Sequence, residues 1–223
     1  MKRRQRRLGR PSREEAGLLE DYILEVATEL FFARGYGETS IELLARHAGA
    51  SKRTIYDRFG DKAGVFKAVM RRVVERLRPP DVANLFVGDD LAEILIRLSQ
   101  AVLRAALQPE ALALHRLIMA EAGRFPELAE LFARRPGSQE AIERISALLQ
   151  AHGRPNRQKS AEFAAAQFLQ MTIAVPQRRA MGIGVPMSEA ELDAWAVQTV
   201  RLFLAGWDGL AGVSDKQAAR QRR

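Results

Sequence analysis

Lys52, Arg53 and Thr54 follow directly on Ser51, and this is the stretch whose side chains could do chemistry. Two cations in the first turn of a helix present ammonium and guanidinium donors to anions, and an arginine fork matches the O6 and N7 edge of guanine. Threonine adds a hydroxyl for phosphate and a methyl group for the thymine methyl. The chemistry on offer is recognition of a polyanion. Bond-making chemistry has no comparable support. His47, His115 and His152 are isolated, with no carboxylate or second histidine at metal-ligand spacing. Serine and aspartate form no nucleophile elbow, and Gly182-Ile183-Gly184 is not followed by a phosphate-cradling pattern. There is no cysteine, which excludes disulfides, thiolate metal sites and cysteine nucleophiles. The expectation is a protein that is not an enzyme and needs neither cofactor nor metal.

Those side chains need elements to hold them. Ile41, Leu44, Ala45 and Ala48 recur at i, i+3, i+4 and i+7, one face of a short helix. Thr39 can cap it, with Glu42 completing a capping box three residues on, and Gly49 suits the left-handed position that ends it. Ser51 then caps a second helix, Lys52 to Phe59, whose Ile55 and Phe59 point inward while Tyr56 and Arg58 lie off that face. Helix, tight turn, helix is the arrangement that sets a recognition helix in the DNA major groove. On residue types alone, an amphipathic helical hairpin with a solvated basic face fits as well.

Ala48-Gly49-Ala50-Ser51, Ile55-Tyr56-Asp57-Arg58-Phe59, Asp61-Lys62 and Val65-Phe66 together resemble the helix-turn-helix signature of TetR-type (tetracycline-repressor-like) transcriptional regulators. Phe32-Ala33-Arg34-Gly35-Tyr36 and Thr39-Ser40-Ile41 match the run into the second helix of that family. Arg53 stands where the family often has glycine, adding a cation, and Ala63 replaces a usual glutamate. The resemblance implies double-stranded DNA as partner. Lys52, Arg53 and Thr54 are then the expected base or groove-edge contacts, and Thr39, Ser51, Tyr56 and Lys62 the expected phosphate contacts, which set register.

Charge is concentrated at the two ends. Residues 1–13 carry seven basic residues and no acid, residues 214–223 carry four basic residues and one acid, and the body holds 24 basic against 26 acidic residues, so the net +8 belongs to the tails. Basic tails on a near-neutral body suit electrostatic capture of a polyanion. In Gly9-Arg10-Pro11 the proline disfavours helix at Arg10. Arg10 on an extended arm could enter a narrow minor groove, or the arm could serve as a solvated tail with nonspecific attraction only.

The whole chain reads as all-α, about nine helices with no membrane span and no secretory leader, which makes cytoplasmic the expected location. The expected division is a basic arm at 1–13, a helix-turn-helix domain at 14–78 with three helices and a fourth leading out, a helical domain at 79–213 and a basic tail at 214–223. Helix one spans Glu15 to Arg34, with Leu19, Tyr22, Ile23, Val26 and Leu30 as its stripe, and Gly35 ends it. Asp61 can cap helix four, with Val65, Phe66, Val69, Val73 and Leu77 inward, and Pro79-Pro80 closes the domain. Stripes headed by Leu91 and Leu114 give helices five and six. Pro126 opens a seventh, interrupted at Pro136-Gly137. Two last helices cover about 159–181 and 188–207.

The run Arg116-Leu-Ile-Met-Ala-Glu-Ala-Gly-Arg-Phe-Pro-Glu-Leu128 resembles the C-terminal domain of the AefR-like subgroup. That resemblance implies ligand-gated release from DNA and pairing of two chains through the last two helices. Phe168, Val175, Trp195, Thr199 and Phe203 are the expected interface residues, although ordinary intramolecular core accounts for part of each stripe. One short recognition helix reads too few base pairs for genomic selectivity, so a homodimer on a palindromic operator is expected, with repression the expected outcome. His115, Met119, Phe132, Phe168 and Met171 are candidates for a hydrophobic or aromatic effector, with simple core packing as the competing role for each. A basic architectural DNA binder without an effector is the alternative.

Overall fold

The computed structural model describes residues 13–79, 81–133, 136–152 and 160–209. Most of the basic arm, Arg10 within it, and the whole basic tail lie outside the described residues. The described residues form ten α-helices and one 3-10 turn, with no strand among them. In order these are α1 (Arg13–Glu38), α2 (Ile41–His47), α3 (Lys52–Phe59), α4 (Lys62–Leu77), η1 (Ala83–Phe86), α5 (Leu91–Ala106), α6 (Pro109–Glu121), α7 (Pro126–Ala133), α8 (Pro136–His152), α9 (Ala161–Ala180) and α10 (Glu189–Gly209). The helix beyond the expected nine arises because Pro136 opens a helix of its own, the position where a missing N–H costs nothing. No described helix is long and apolar enough to cross a membrane.

The described residues form two compact units. Among the described residues, 13–72 group with Leu117–Phe132, and those of 73–116 group with those from Ala133 onward. The division falls inside α4, and Leu117–Phe132 brings two fully buried residues, Ile118 and Leu128, into the first unit.

In the first unit, Gly35 breaks α1 at φ 86°, ψ 169°, and the residues beyond form one further turn. Ile23, Val26 and Leu30 are buried as the stripe requires, but Tyr22 is half-exposed, so that stripe is narrower than its apolar residues suggest. Phe31, Tyr36 and Phe66 form an aromatic cluster with ring centroids 5.2–5.8 Å apart, mostly edge-on, the arrangement ring quadrupoles favour. Asp61 Oδ1 accepts from Gly64 N at 2.7 Å, capping α4 as expected, and Val65, Phe66, Val69 and Val73 are buried along it while Leu77 is only partly covered. Asp21 in α1 accepts from Arg72 at 2.8 Å.

In the second unit, Asp90 caps α5 by accepting from Ala92 N and Glu93 N. Ile94, Leu95 and Leu98 enter a core with Ile145, Leu149, Phe168, Phe203 and Trp207. Ala161, Ala164 and Ala165 in α9 are buried in that same core; small residues allow close helix approach, as their sequence spacing predicts.

Candidate nucleic-acid interface

Two caps and one turn build the helical hairpin. Ser40, one residue later than expected, caps α2 by accepting from Leu43 N at 3.1 Å. Thr39 is buried, 1 % exposed, and its hydroxyl donates to Gly35 O at 2.8 Å. It therefore does not cap α2, and Glu42 does not close a capping box with it. At the other end Ala48 ends α2, Gly49 takes φ +60°, and the amides of Gly49 and Ala50 return to Arg46 O and Ala45 O. This is a Schellman arrangement that satisfies two otherwise orphaned carbonyls. Ser51 then caps α3, its Oγ accepting from Thr54 N at 3.0 Å and lying 2.8 Å from Thr54 Oγ1.

α3 is pinned by Ile55, fully buried, while its first turn stays open to solvent. The Arg53 side chain is 90 % exposed and its Nε lies 3.6 Å from Asp57 Oδ2. Lys52 Nζ donates to Glu42 Oε2 at 2.9 Å, and that bond holds the Glu42 carboxyl below its usual pKa. Tyr56 is half-exposed. Ser51, Lys52, Arg53, Thr54 and Tyr56 thus belong to one short helix and its cap, with the cap and the two cations exposed. Arg58, off the inward face of α3, donates to Glu20 of α1 at 3.1 Å.

Lys62, like Thr39, makes bonds within the first unit. Its Nζ donates to Tyr36 O at 2.9 Å and Gly37 O at 3.4 Å, and stands 4.2 Å above the Tyr36 ring. Burial lowers its pKa despite the opposing pull of Glu121, Glu127 and Glu38. Tyr36 shifts upward, mainly through burial and then through Glu127, which accepts its hydroxyl proton at 3.2 Å. Ser40, exposed at the start of α2, takes the place assigned to Thr39. The sequence signal for it was present, since a serine directly precedes the first helical residue, but Thr39 offers an equally good cap until its burial is known.

The candidate effector residues differ in exposure. Met119 is 57 % exposed and Phe168 is fully buried, its ring 5.0 Å from that of Phe203. Met119 and Phe132 belong to the first unit, and His115, Phe168 and Met171 to the second. An open cleft of about 290 Å³ lies between α5 and the start of α10, lined by Gln100, Leu103, Arg104, Leu107, Glu189 and Asp193 among others. Of the expected interface residues, Phe168, Thr199 and Phe203 are buried by their own chain, and Val175 and Trp195 are partly covered. Among the described residues, the large apolar side chains that α9 and α10 leave exposed are Phe163, at 63 %, and Leu202, at 67 %. Neither stood out in sequence, because each lies off its helix's main apolar stripe.

No group of three or more metal-ligating side chains occurs among the described residues.

Residues 23–69 match the family described as bacterial regulatory proteins, tetR family, and residues 93–208 match the AefR-like transcriptional repressor, C-terminal domain. The chain is 36 % identical over 73 residues to the HTH-type transcriptional repressor ComR of Escherichia coli K12, covering 33 % of this chain and 35 % of ComR. It is 33 % identical over 60 residues to the HTH-type transcriptional regulator AlkX of Mycobacterium tuberculosis, so the match spans about a third or less of either relative (28 % of AlkX). Among solved structures, it is similar to a protein described as a TetR-family transcriptional regulator of Mesorhizobium loti, with 28 % identity and TM-score 0.68 over 87 % of this chain and 98 % of that one. It is also similar to the flavonoid-responsive regulator FrrA, with 25 % identity and TM-score 0.66 over 85 % and 97 % of the two chains. The exposed basic first turn of α3, the capped hairpin that presents it and these matches over both halves lead to one assignment: the chain is a DNA-binding transcriptional regulator of the TetR family with an AefR-like C-terminal domain.

Proposed function

We propose that this regulator is a homodimeric repressor that reads a palindromic operator with two copies of α3 and leaves it when a small apolar or aromatic effector binds. The observation that carries the DNA half is the first turn of α3. Ser51 fixes its N-terminus, Ile55 anchors its inner side, and Lys52, Arg53 and Thr54 follow the cap in the turn that meets base edges. Tyr56, Ser51 and Ser40 supply phosphate contacts around that turn, while Thr39 and Lys62 stay in their internal roles. Pairing uses Phe163 and Leu202, whose exposure leaves apolar area that a second chain would cover.

Repression is supported by the relative ComR, a repressor, and by the AefR-like repressor domain. A small aromatic effector is supported by the name of FrrA, which responds to flavonoids. His115 and Met171 are the candidate effector contacts of the second unit that are not fully committed to its core. The effector must bind the DNA-incompetent arrangement more tightly, since equal affinity for both shifts nothing.

The test is selection of genomic fragments by the purified full chain, followed by titration of the recovered duplex and a scrambled one across salt. A palindrome with half-sites about one turn, 34–36 Å, apart supports the proposal. Arg53→Ala should then cost about 1–3 kcal/mol on the recovered site and relax its sequence preference. Equal affinity for all duplexes, with the same salt slope, would instead favour an architectural DNA binder.

A further inference from the structure

The turn from which the reading hairpin starts is held by a residue from far along the chain. Glu121, the last residue of α6, accepts from Tyr36 N through Oε1 and from Gly37 N through Oε2, both at 2.6 Å. Two consecutive backbone amides converging on one anion form a nest, and here the anion is a carboxylate of the same chain. The backbone is shaped to admit it. Gly35 sits at φ 86°, ψ 169°, and a Cβ there would collide with Glu121 Oε1. A Cβ on Gly37 would lie 3.1 Å from Oε2 and 3.2 Å from the Phe125 ring. Lys62 takes the carbonyls of the same stretch, Tyr36 O and Gly37 O. An anion on the donors and a cation on the acceptors leave this turn little freedom.

What the turn positions is the start of α2. Thr39 closes onto it twice, through its hydroxyl to Gly35 O and its amide to Tyr36 O at 3.3 Å, and Ser40, the next residue, caps α2. α2 is joined to α3 by the short turn whose Gly49 and Ala50 amides return to Arg46 O and Ala45 O, directly before Ser51 caps α3. We propose that Glu121 is a positioning residue for DNA reading: its carboxylate fixes the Gly35–Gly37 turn, and through Thr39 and Ser40 the placement of α2 and α3. This rests on the operator-reading role proposed above.

Glu121→Gln keeps shape but offers one acceptor oxygen where two are used. In the full chain it should speed amide exchange at Tyr36 and Gly37 and through α2, with α9 and α10 unchanged. It should weaken operator binding about tenfold, the worth of one charge-assisted hydrogen bond, and leave binding to a scrambled duplex unchanged because Lys52 and Arg53 keep their charges. Glu121→Asp, which keeps the charge but shortens the reach, should lose selectivity in the same way. Unaltered exchange at Tyr36 and Gly37 would overturn the proposal. So would operator and scrambled affinities falling together with the folded fraction, or Glu121→Asp behaving as wild type. If the wild-type chain itself fails to distinguish the two duplexes, the operator-reading role falls, and amide exchange alone decides whether Glu121 holds the turn.

Discussion

The indole Nε1 of Trp195 lies 3.0 Å from the carbonyl oxygen of Thr172, the acceptor that Pro176, four residues further along α9, cannot serve. Proline has no N–H to return to the carbonyl one turn earlier, and a buried unpaired carbonyl is costly. A side chain from α10 supplies the missing donor, so the proline in α9 and the tryptophan in α10 form one structural unit.

That relationship sets up a double-mutant cycle. Trp195→Phe should destabilise the chain by about 1–3 kcal/mol by stranding the Thr172 carbonyl. In a Pro176→Ala background, where a backbone N–H is restored, the same change should cost less. Urea midpoints of the four proteins measure the coupling. Equal costs in both backgrounds would assign the whole effect to ring packing.

Gly35 and Gly49 both have positive φ, at 86° and 60°, but differ in their surroundings. A Cβ on Gly49 meets nothing within 4 Å, so Gly49→Ala should cost only the left-handed backbone, about 1 kcal/mol. Gly35 lies in a region open essentially to glycine alone and faces Glu121. Gly35→Ala should cost roughly 3 kcal/mol or more. Thermal unfolding of the two variants checks the order, and a reversed order would contradict the packing at Glu121.

Glu42 and Asp57 place carboxylates beside the two cations at the start of α3. Glu42→Gln should release Lys52 for phosphate, raising affinity for any duplex and steepening the log–log salt slope by about 0.9. The pair is exposed, so thermal stability should not change. Anisotropy titrations at several salt concentrations read the slope, and an unchanged slope would mean Lys52 reaches no phosphate even when released.

Phe163 and Leu202 mark the face proposed for pairing. Leu202→Asp, and separately Phe163→Asp, should shift the mass in solution from two chains to one and remove most operator affinity while helicity is retained. Burying an unpaired carboxylate in an apolar interface is strongly unfavourable. Light scattering on the purified variants gives the mass; a two-chain mass for both would place the interface elsewhere.

Local chemistry was legible in the chain. Ser51, Asp61, Gly49 and Gly35 act where their types predict caps and breaks, because capping and left-handed backbone depend on neighbours within a few residues. The first turn of α3 was legible for the same reason, its cap and cations being contiguous in sequence.

Tertiary structure decided which of several equally suitable side chains face outward. Thr39 and Lys62 turn into the first unit because backbone carbonyls at Gly35, Tyr36 and Gly37 need donors. Residues 117–132 join the DNA-reading unit through bonds between partners 84 and 85 positions apart. Phe168 and Phe203 belong to the core, leaving Phe163 and Leu202 uncovered. Helical periodicity shows that a helix has an apolar side, but which neighbour covers it is set by contacts that no local pattern encodes.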